Sequence, residues 1–331
     1  VTRTTMAGAL NLALRHSMSQ DEKVMLMGED IGPLGGVFRI TDGLHAEFGA
    51  ERVVDTPLAE SGIIGTAIGL ALRGYRPVAE IQFDGFVFPG YDQITTQLAK
   101  LHYRSQGRIK MPVVVRIPYG GGIGAIEHHS ESPEALFAHT AGLRVINPAN
   151  PVDAYWLLRQ AIASNDPVIF FEPKRRYWDR ADLDLGDEIP GLDEAPAAFQ
   201  GAQVLKFGQD VTLAAYGPAV AVARETADVL AQEGRSAEVI DLRSVSPLDV
   251  DTVVKSVEKT GRLIVIHEAP TFFGAGAELA AAITERCFYS LEAPVLRVGG
   301  FHTPYPAAAV EEHYLPNLDR VLDAVDRALT F

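Results

Sequence analysis

Short apolar runs rich in β-branched residues alternate along this chain with longer segments of helical periodicity, and that alternation restricts the fold to parallel sheets covered by helices on both faces. A helical pattern over Met6–Met18 precedes the strand-like Val24–Gly28. The rhythm continues with Gly62–Leu72, Val78–Ile81, Tyr91–Tyr103 and Val113–Ile117, then a helix over Val152–Ala163 and a strand over Val168–Phe171. The stretch Asp179–Gln200 breaks the pattern with acidic residues, prolines and glycines and no apolar period, so it reads as a linker. Beyond it the alternation resumes: strands at Val211–Ala215, Ala237–Ile240, Leu263–Ile266 and Val295–Val298, a helix through Leu230, another near Ala277–Phe288, and a closing helix. The expected class is α/β, with two parallel or mixed-sheet domains over 1–180 and 201–331 joined by an acidic linker over 181–200.

The 43 acidic against 29 basic residues give a formal charge of −14, which disfavours nucleic acid and anionic membrane surfaces as partners. No apolar run is long enough to span a bilayer and no basic-then-apolar leader opens the chain, so a soluble, cytoplasmic protein is expected. The single cysteine, Cys287, lies in an apolar helical stretch and reads as a buried, inert thiol in a reducing compartment.

In open α/β sheets, ligands gather beyond the carboxyl ends of the strands, and three segments in such positions carry chemistry. Asp55-Thr56-Pro57-Leu58-Ala59-Glu60 runs into a helix that is apolar on every side. Taken alone, Glu60 fits a first-turn carboxylate complementing the helix dipole. However, Gly62, Gly65 and Gly69 form one stripe on that helix, and glycine costs helix stability, so the stripe predicts close approach of another helix, from this chain or from another subunit. A carboxylate at such a dry junction has its charged form disfavoured and suits proton sharing. Gln82-Phe83-Asp84-Gly85-Phe86-Val87-Phe88 offers core aromatics or, alternatively, a flat face and an amide to a planar ring. The glycine-rich Gly120–Gly124 leads to His128 and His129, just ahead of a helix start at Ser132-Pro133-Glu134. A helix amino end tends to keep an imidazole neutral and ready for proton transfer. The same pair also fits surface histidines in a turn. Adjacent histidines point apart and their spacing to His139 matches no standard ligand pattern, which ranks a metal site below acid–base work. No Lys-Ser or Lys-Thr closes the glycines into a nucleotide loop.

Asp55–Glu60 with its glycine helix, Glu80-Ile81-Gln82-Phe83, His129–Glu134 and Phe170-Phe171-Glu172-Pro173-Lys174 together resemble the beta subunit of thiamine diphosphate-dependent 2-oxo acid dehydrogenases. The resemblance runs in order over nearly the whole chain. It implies a pyrimidine-binding domain followed by a transketolase-like C-terminal domain. It also implies that Glu60 hydrogen-bonds the aminopyrimidine ring of the cofactor, that Leu58, Gln82 and Phe86 line its pocket, and that His129 moves protons as the acyl group passes to a lipoyl arm. Some relatives carry tyrosine where Phe86 stands, so only stacking is expected there. The Gly-Asp-Gly motif with a following asparagine, which holds the diphosphate through magnesium in the wider family, is absent from this chain. The resemblance therefore implies a separate alpha subunit that holds magnesium and the diphosphate, and an α2β2 assembly; the acidic surface and the terminal carboxylate of Phe331 fit either docking of a basic subunit-binding domain of the lipoyl acyltransferase or an ordinary solvated acidic face. A potassium ion on backbone carbonyls is a further implication. Phe170–Lys174 and Thr303-Pro304-Tyr305-Pro306 resemble branched-chain members more than pyruvate or acetoin members. A pyruvate or acetoin subunit is the nearest alternative, and a non-catalytic scaffold subunit is a reading from a different class. The absent diphosphate motif disfavours a transketolase or a deoxyxylulose phosphate synthase.

Overall fold

The computed structural model describes residues 2–331 apart from Asp187, Ala197, Ala198 and Gln200. Contacts divide the chain into two units, one comprising Val1–Tyr119 and Leu136–Phe199 and the other Gly120–Ala135 and Gln200–Phe331.

In the first unit the elements are β1 (Thr2–Thr5), α1 (Met6–Gln20), β2 (Val24–Gly28), α2 (Leu44–Phe48), β3 (Val53–Asp55), α3 (Glu60–Leu72), β4 (Arg76–Glu80), α4 (Leu101–Arg104) and β5 (Val114–Tyr119). After α5 (Glu134–Ala138), which straddles the division, come β6 (Arg144–Ile146), α6 (Pro151–Ala163), β7 (Val168–Pro173) and β8 (Arg180–Leu183). The sheet runs β6-β7-β5-β4-β2-β3 with every neighbouring pair parallel. Every residue of β5 and β7 is buried, the signature of strands covered on both faces. Helices α1 and α6 pack together over Met6, Leu10, Leu14, Tyr155, Trp156 and Leu158. Their entries are fixed by side-chain caps, Thr5 accepting from the Gly8 amide and Asn150 from Asp153, with Pro151 in the first turn of α6. Each cap contributes about 1 kcal/mol.

Two segments depart from the sequence expectation. The segment predicted as one helix over Tyr91–Tyr103 is helical but interrupted: a π turn at Gln93–Leu98 is followed by the separate single turn α4, and a 3-10 segment at Asp84–Gly90, which the sequence did not predict, leads into it. Asp179–Gln200 is not wholly irregular, because β8 pairs antiparallel with β1 and Leu192–Glu194 forms a 3-10 turn. The main chain of β8 finds partners in β1, which an apolar-period reading does not register. Four residues of the expected linker lie outside the described set.

The second unit contains β9 (Gln203–Lys206), β10 (Val211–Ala215), α7 (Ala219–Gln232), β11 (Ala237–Asp241), β12 (Ser244–Ser246), α8 (Val250–Thr260), β13 (Leu263–Pro270), α9 (Ala275–Cys287), β14 (Leu296–Gly300), α10 (Glu311–Tyr314) and α11 (Leu318–Leu329). Its sheet runs β14-β13-β10-β11-β9, parallel except for the β11/β9 edge pair. Cys287 is buried, and burial raises its thiol pKa, as an inert cysteine requires. Among the described residues no helix is long and apolar enough to cross a membrane.

Candidate active site

Parallel pairing of β2 with β3 and with β4 brings the residues that follow these three strands to one corner of the first unit. Glu29 and Asp30 follow β2, Leu58 and Glu60 follow β3, and Gln82 follows β4. The Thr56 amide donates to the Gly28 carbonyl at 2.9 Å, and the Gly32 amide to the Asp55 carboxylate at 2.6 Å, so the β2 and β3 loops are tied together. Gln82 Nε2 donates to Asp30 Oδ2 at 3.1 Å. Asp30 has φ 58°, a left-handed conformation that is uncommon outside glycine. Glu29 is 4% exposed and its Oε1 has no hydrogen-bond partner. Burial, then the charges of Glu60 and Asp30, push its carboxyl up to about 6. The corner thus holds a carboxyl that keeps its proton well above the ordinary range, within electrostatic reach of Glu60.

Glu60 is the first residue of α3 and partly exposed. The helix buries Ile63, Ile64, Ala67, Ile68 and Ala71 on its own unit. Its glycine stripe faces outward: a Cβ built on Gly65 or Gly69 meets nothing within 4 Å. Leu58 at the head of this face is 82% exposed. The 3-10 segment crosses the start of α3 at Gly90, where a Cβ would lie 3.1 Å from the Glu60 carbonyl. The half-buried Phe86 packs edge-on against Phe83, centroids 5.7 Å apart, and Phe83 packs likewise on Phe38.

Beneath these groups lies a saturated polar base. Arg116, 1% exposed, binds Glu172 through Nε and Nη2 at 2.6 and 2.9 Å and Glu80 through Nη1 at 2.6 Å. The Tyr177 hydroxyl donates to Glu172 at 2.7 Å. Burial alone would lower the Arg116 pKa, but Glu172 and Glu80 more than offset it and hold the guanidinium charged. Beside it, Lys174 and Asp84 form a fully buried ion pair at 2.7 Å, with the ammonium 5.7 Å from the centre of the Phe83 ring. This pair anchors the turn that carries Phe86.

His129 belongs to the second unit, in the 3-10 turn Glu127–His129 at the end of the glycine-rich loop. Its amide donates to the Ile126 carbonyl at 3.0 Å, and the next residue, Ser130, is fully buried with its hydroxyl toward Ala125. Helix α5 is only five residues long, so the dipole expected to act on the imidazole is a short one. Among the described residues no group of three or more His, Cys, Asp or Glu side chains is placed to hold a metal ion.

Residues 3–178 match the transketolase pyrimidine-binding domain and residues 200–321 the transketolase C-terminal domain. A pyruvate dehydrogenase E1 component subunit beta from Leifsonia xyli is 58% identical over 326 residues, covering 98% of this chain and 95% of the relative. A 3-methyl-2-oxobutanoate dehydrogenase subunit beta from Mycobacterium tuberculosis is 54% identical over the same length, covering 98% and 92%. The chain belongs to the beta subunits of thiamine diphosphate-dependent 2-oxo acid dehydrogenases. Among solved structures, a split-gene transketolase described as an inactive beta4 tetramer has a TM-score of 0.77 at 25% identity, covering 98% of each chain.

Within this family the members are oxidoreductases that act as part of a heteromer. Of the residues singled out in the sequence, Leu58, Glu60, Gln82, Phe86 and His129 all fall within the stretch that matches the pyrimidine-binding domain, while by contacts the first four belong to the first unit and His129 to the second. The partly exposed Glu60, the aromatic wall and the orphaned Glu29 oxygen fit a planar, hydrogen-bonding ring such as the aminopyrimidine of thiamine diphosphate. Glu29 was not among the sequence candidates, although it stands just beyond β2 as Gln82 does beyond β4. Applying the strand-end rule to every strand would have found it.

Proposed function

We propose that this beta subunit completes, together with an alpha subunit in an α2β2 assembly, a site for oxidative decarboxylation of a 2-oxo acid and reductive acylation of a lipoyl group. The observation that supports this most directly is that Glu60 and Gln82 follow β3 and β4, the two strands flanking β2, with Phe86 in the 3-10 segment just beyond β4, beside a helix face that this chain leaves open. Thiamine diphosphate, when bound, supplies the carbanion-stabilising centre that decarboxylation of a 2-oxo acid needs. Leu58, Gln82 and Phe86 would hold its pyrimidine ring. Glu60 would hold a proton on the ring nitrogen. His129 would give and take a proton as the acyl group leaves for the lipoyl arm, a role typically contributing ~10²–10⁴-fold. The diphosphate and magnesium are assigned to the alpha subunit, since this chain has no Gly-Asp-Gly motif. The C-terminal domain is assigned to docking of the lipoyl acyltransferase.

For the substrate, Phe170–Lys174 and Thr303–Pro306 support a branched-chain 2-oxo acid, and so does the mycobacterial relative. The Leifsonia relative supports pyruvate as a second reading. Turnover by purified alpha plus beta subunits on 3-methyl-2-oxobutanoate and on pyruvate separates them. Higher kcat/KM on the branched acid is expected, and higher kcat/KM on pyruvate transfers the assignment.

A further inference from the structure

The glycine-rich loop before His129 is gripped by three side chains from distant parts of its own unit. Glu268, at the end of β13, accepts from the Gly121 amide at 3.2 Å. Glu311, the first residue of α10, accepts from the Gly122 amide at 2.9 Å and from the Tyr305 hydroxyl at 2.5 Å. All three side chains belong to buried residues, with exposures of 4% for Glu268, 8% for Glu311 and 8% for Tyr305. Hydrogen bonds from amides to carboxylates are shorter and about twice as strong as neutral ones, and they strengthen away from water.

The fit leaves no space for a side chain at Gly120 or Gly121. A Cβ on Gly120 would lie 2.7 Å from Glu268 Oε2, and one on Gly121 would overlap the Tyr305 hydroxyl. Gly120 and Gly122 also have φ of 80° and 87°, which glycine adopts without strain. The Gly120 amide donates to the Glu131 carbonyl at 2.9 Å, closing the loop on itself. Its far end is fixed where the Tyr216 hydroxyl donates to the fully buried Glu134 at 2.6 Å. His129 stands between these two anchors.

We propose that Glu268, Tyr305 and Glu311 form a clasp on the Gly120–Gly124 backbone that positions His129 for acyl transfer to the lipoyl group. The inference rests on the proton-transfer role assigned to His129 above. The clasp residues are positioning residues. They act through two amides, and their removal lets the His129 turn drift. A misplacement of about 1 Å costs on the order of 100-fold in rate.

The test uses the assembled enzyme with its alpha subunit and cofactor, and measures two reactions: decarboxylation with an artificial electron acceptor, and reductive acylation of a lipoyl domain. His129→Asn serves as the reference. Tyr305→Phe and Glu311→Ala are expected to lower lipoyl acylation about 10- to 100-fold more than they lower decarboxylation. Glu311→Gln keeps an acceptor oxygen and is expected to retain more transfer than Glu311→Ala. Amide hydrogen exchange over Gly120–Ile126, followed in the same variants, is expected to quicken at Gly121 and Gly122. Parental transfer in His129→Asn would overturn the role assigned to His129 and the clasp's role with it. Impaired transfer in His129→Asn with parental transfer and exchange in Tyr305→Phe and Glu311→Ala would overturn the clasp alone. Equal loss of both reactions in the clasp variants, with a lowered melting temperature, would assign these residues to general stability and overturn the clasp as well.

Discussion

The base and the rim of the Glu60 corner are built on opposite terms. At the base, Arg116 satisfies two carboxylates at once, Tyr177 completes Glu172, and Lys174 neutralises Asp84. At the rim, Glu29 keeps an orphaned oxygen, Leu58 stands in solvent, and the glycines of α3 face open space. Buried polar groups are normally paired, and an exposed glycine stripe costs helix stability. The base therefore has the character of a finished interior and the rim that of an open surface, as the proposed site shared with an alpha subunit requires.

The contrast is sharpest in the effect of removing one group from each. Glu60→Ala should lower decarboxylation by the assembled enzyme by ~10²–10⁴-fold while the chain's melting temperature stays near the parent value. Steady-state kinetics and thermal melting on the same preparation check both halves. Arg116→Met should do the reverse to the fold. It leaves Glu80 and Glu172 buried without their cation, at a cost of about 3–5 kcal/mol, visible as a lowered urea midpoint. If the two variants behaved alike, base and rim would not be distinct.

The α3 face gives a smaller effect. Gly65→Ala should stabilise the isolated chain by about 0.5–1 kcal/mol, since its Cβ enters open space and alanine favours the helix. Gly65→Leu should also fold, yet it should fail to associate with the alpha subunit in size-exclusion chromatography. Full association of Gly65→Leu would mean that no partner helix packs there.

A pH-dependent effect belongs to Glu29. Its folded-state pKa of about 6 exceeds the ordinary carboxylate value, so the folded chain binds the proton more tightly than the unfolded one. Its contribution to stability is fully present below the unfolded pKa and is lost as pH rises through about 6. Glu29→Gln should therefore melt higher than the parent at pH 7, and the gap should close as the pH is lowered through that window. A gap unchanged with pH would place the proton elsewhere.

Much of this architecture is legible in the chain because buried parallel strands are continuous apolar runs. Val24–Gly28 and Val211–Ala215 have the predicted limits, and β5 and β7 differ from expectation only at their ends. The helical character of 91–103 was legible but its π turn at Gln93–Leu98 was not, because a π turn leaves no period of its own in the sequence, and the 3-10 segment before it carries Gly85, Pro89 and Gly90. Helix α8 was overlooked despite a clear signal, an Asp249 cap and valines at 250, 253, 254 and 257. At the site, Glu60, Gln82 and Phe86 lie in segments that follow strands, while the pocket roles of Leu58, Gln82 and Phe86 came from the family resemblance. Glu268, Tyr305 and Glu311 gave no local pattern for a grip on glycine amides more than a hundred residues away. Such contacts are set by tertiary folding, which spacing along the chain does not encode.

The central claim is that the rim is half of a site whose remainder lies on the alpha subunit. Its most direct test is 2-oxo acid decarboxylation with thiamine diphosphate, magnesium and an artificial electron acceptor, by this chain alone and during titration with its alpha subunit. Activity should be absent from the chain alone, rise to a plateau at equimolar alpha subunit, and vanish with Glu60→Ala. Turnover by the chain alone, or a mixture whose activity survives Glu60→Ala, would contradict it.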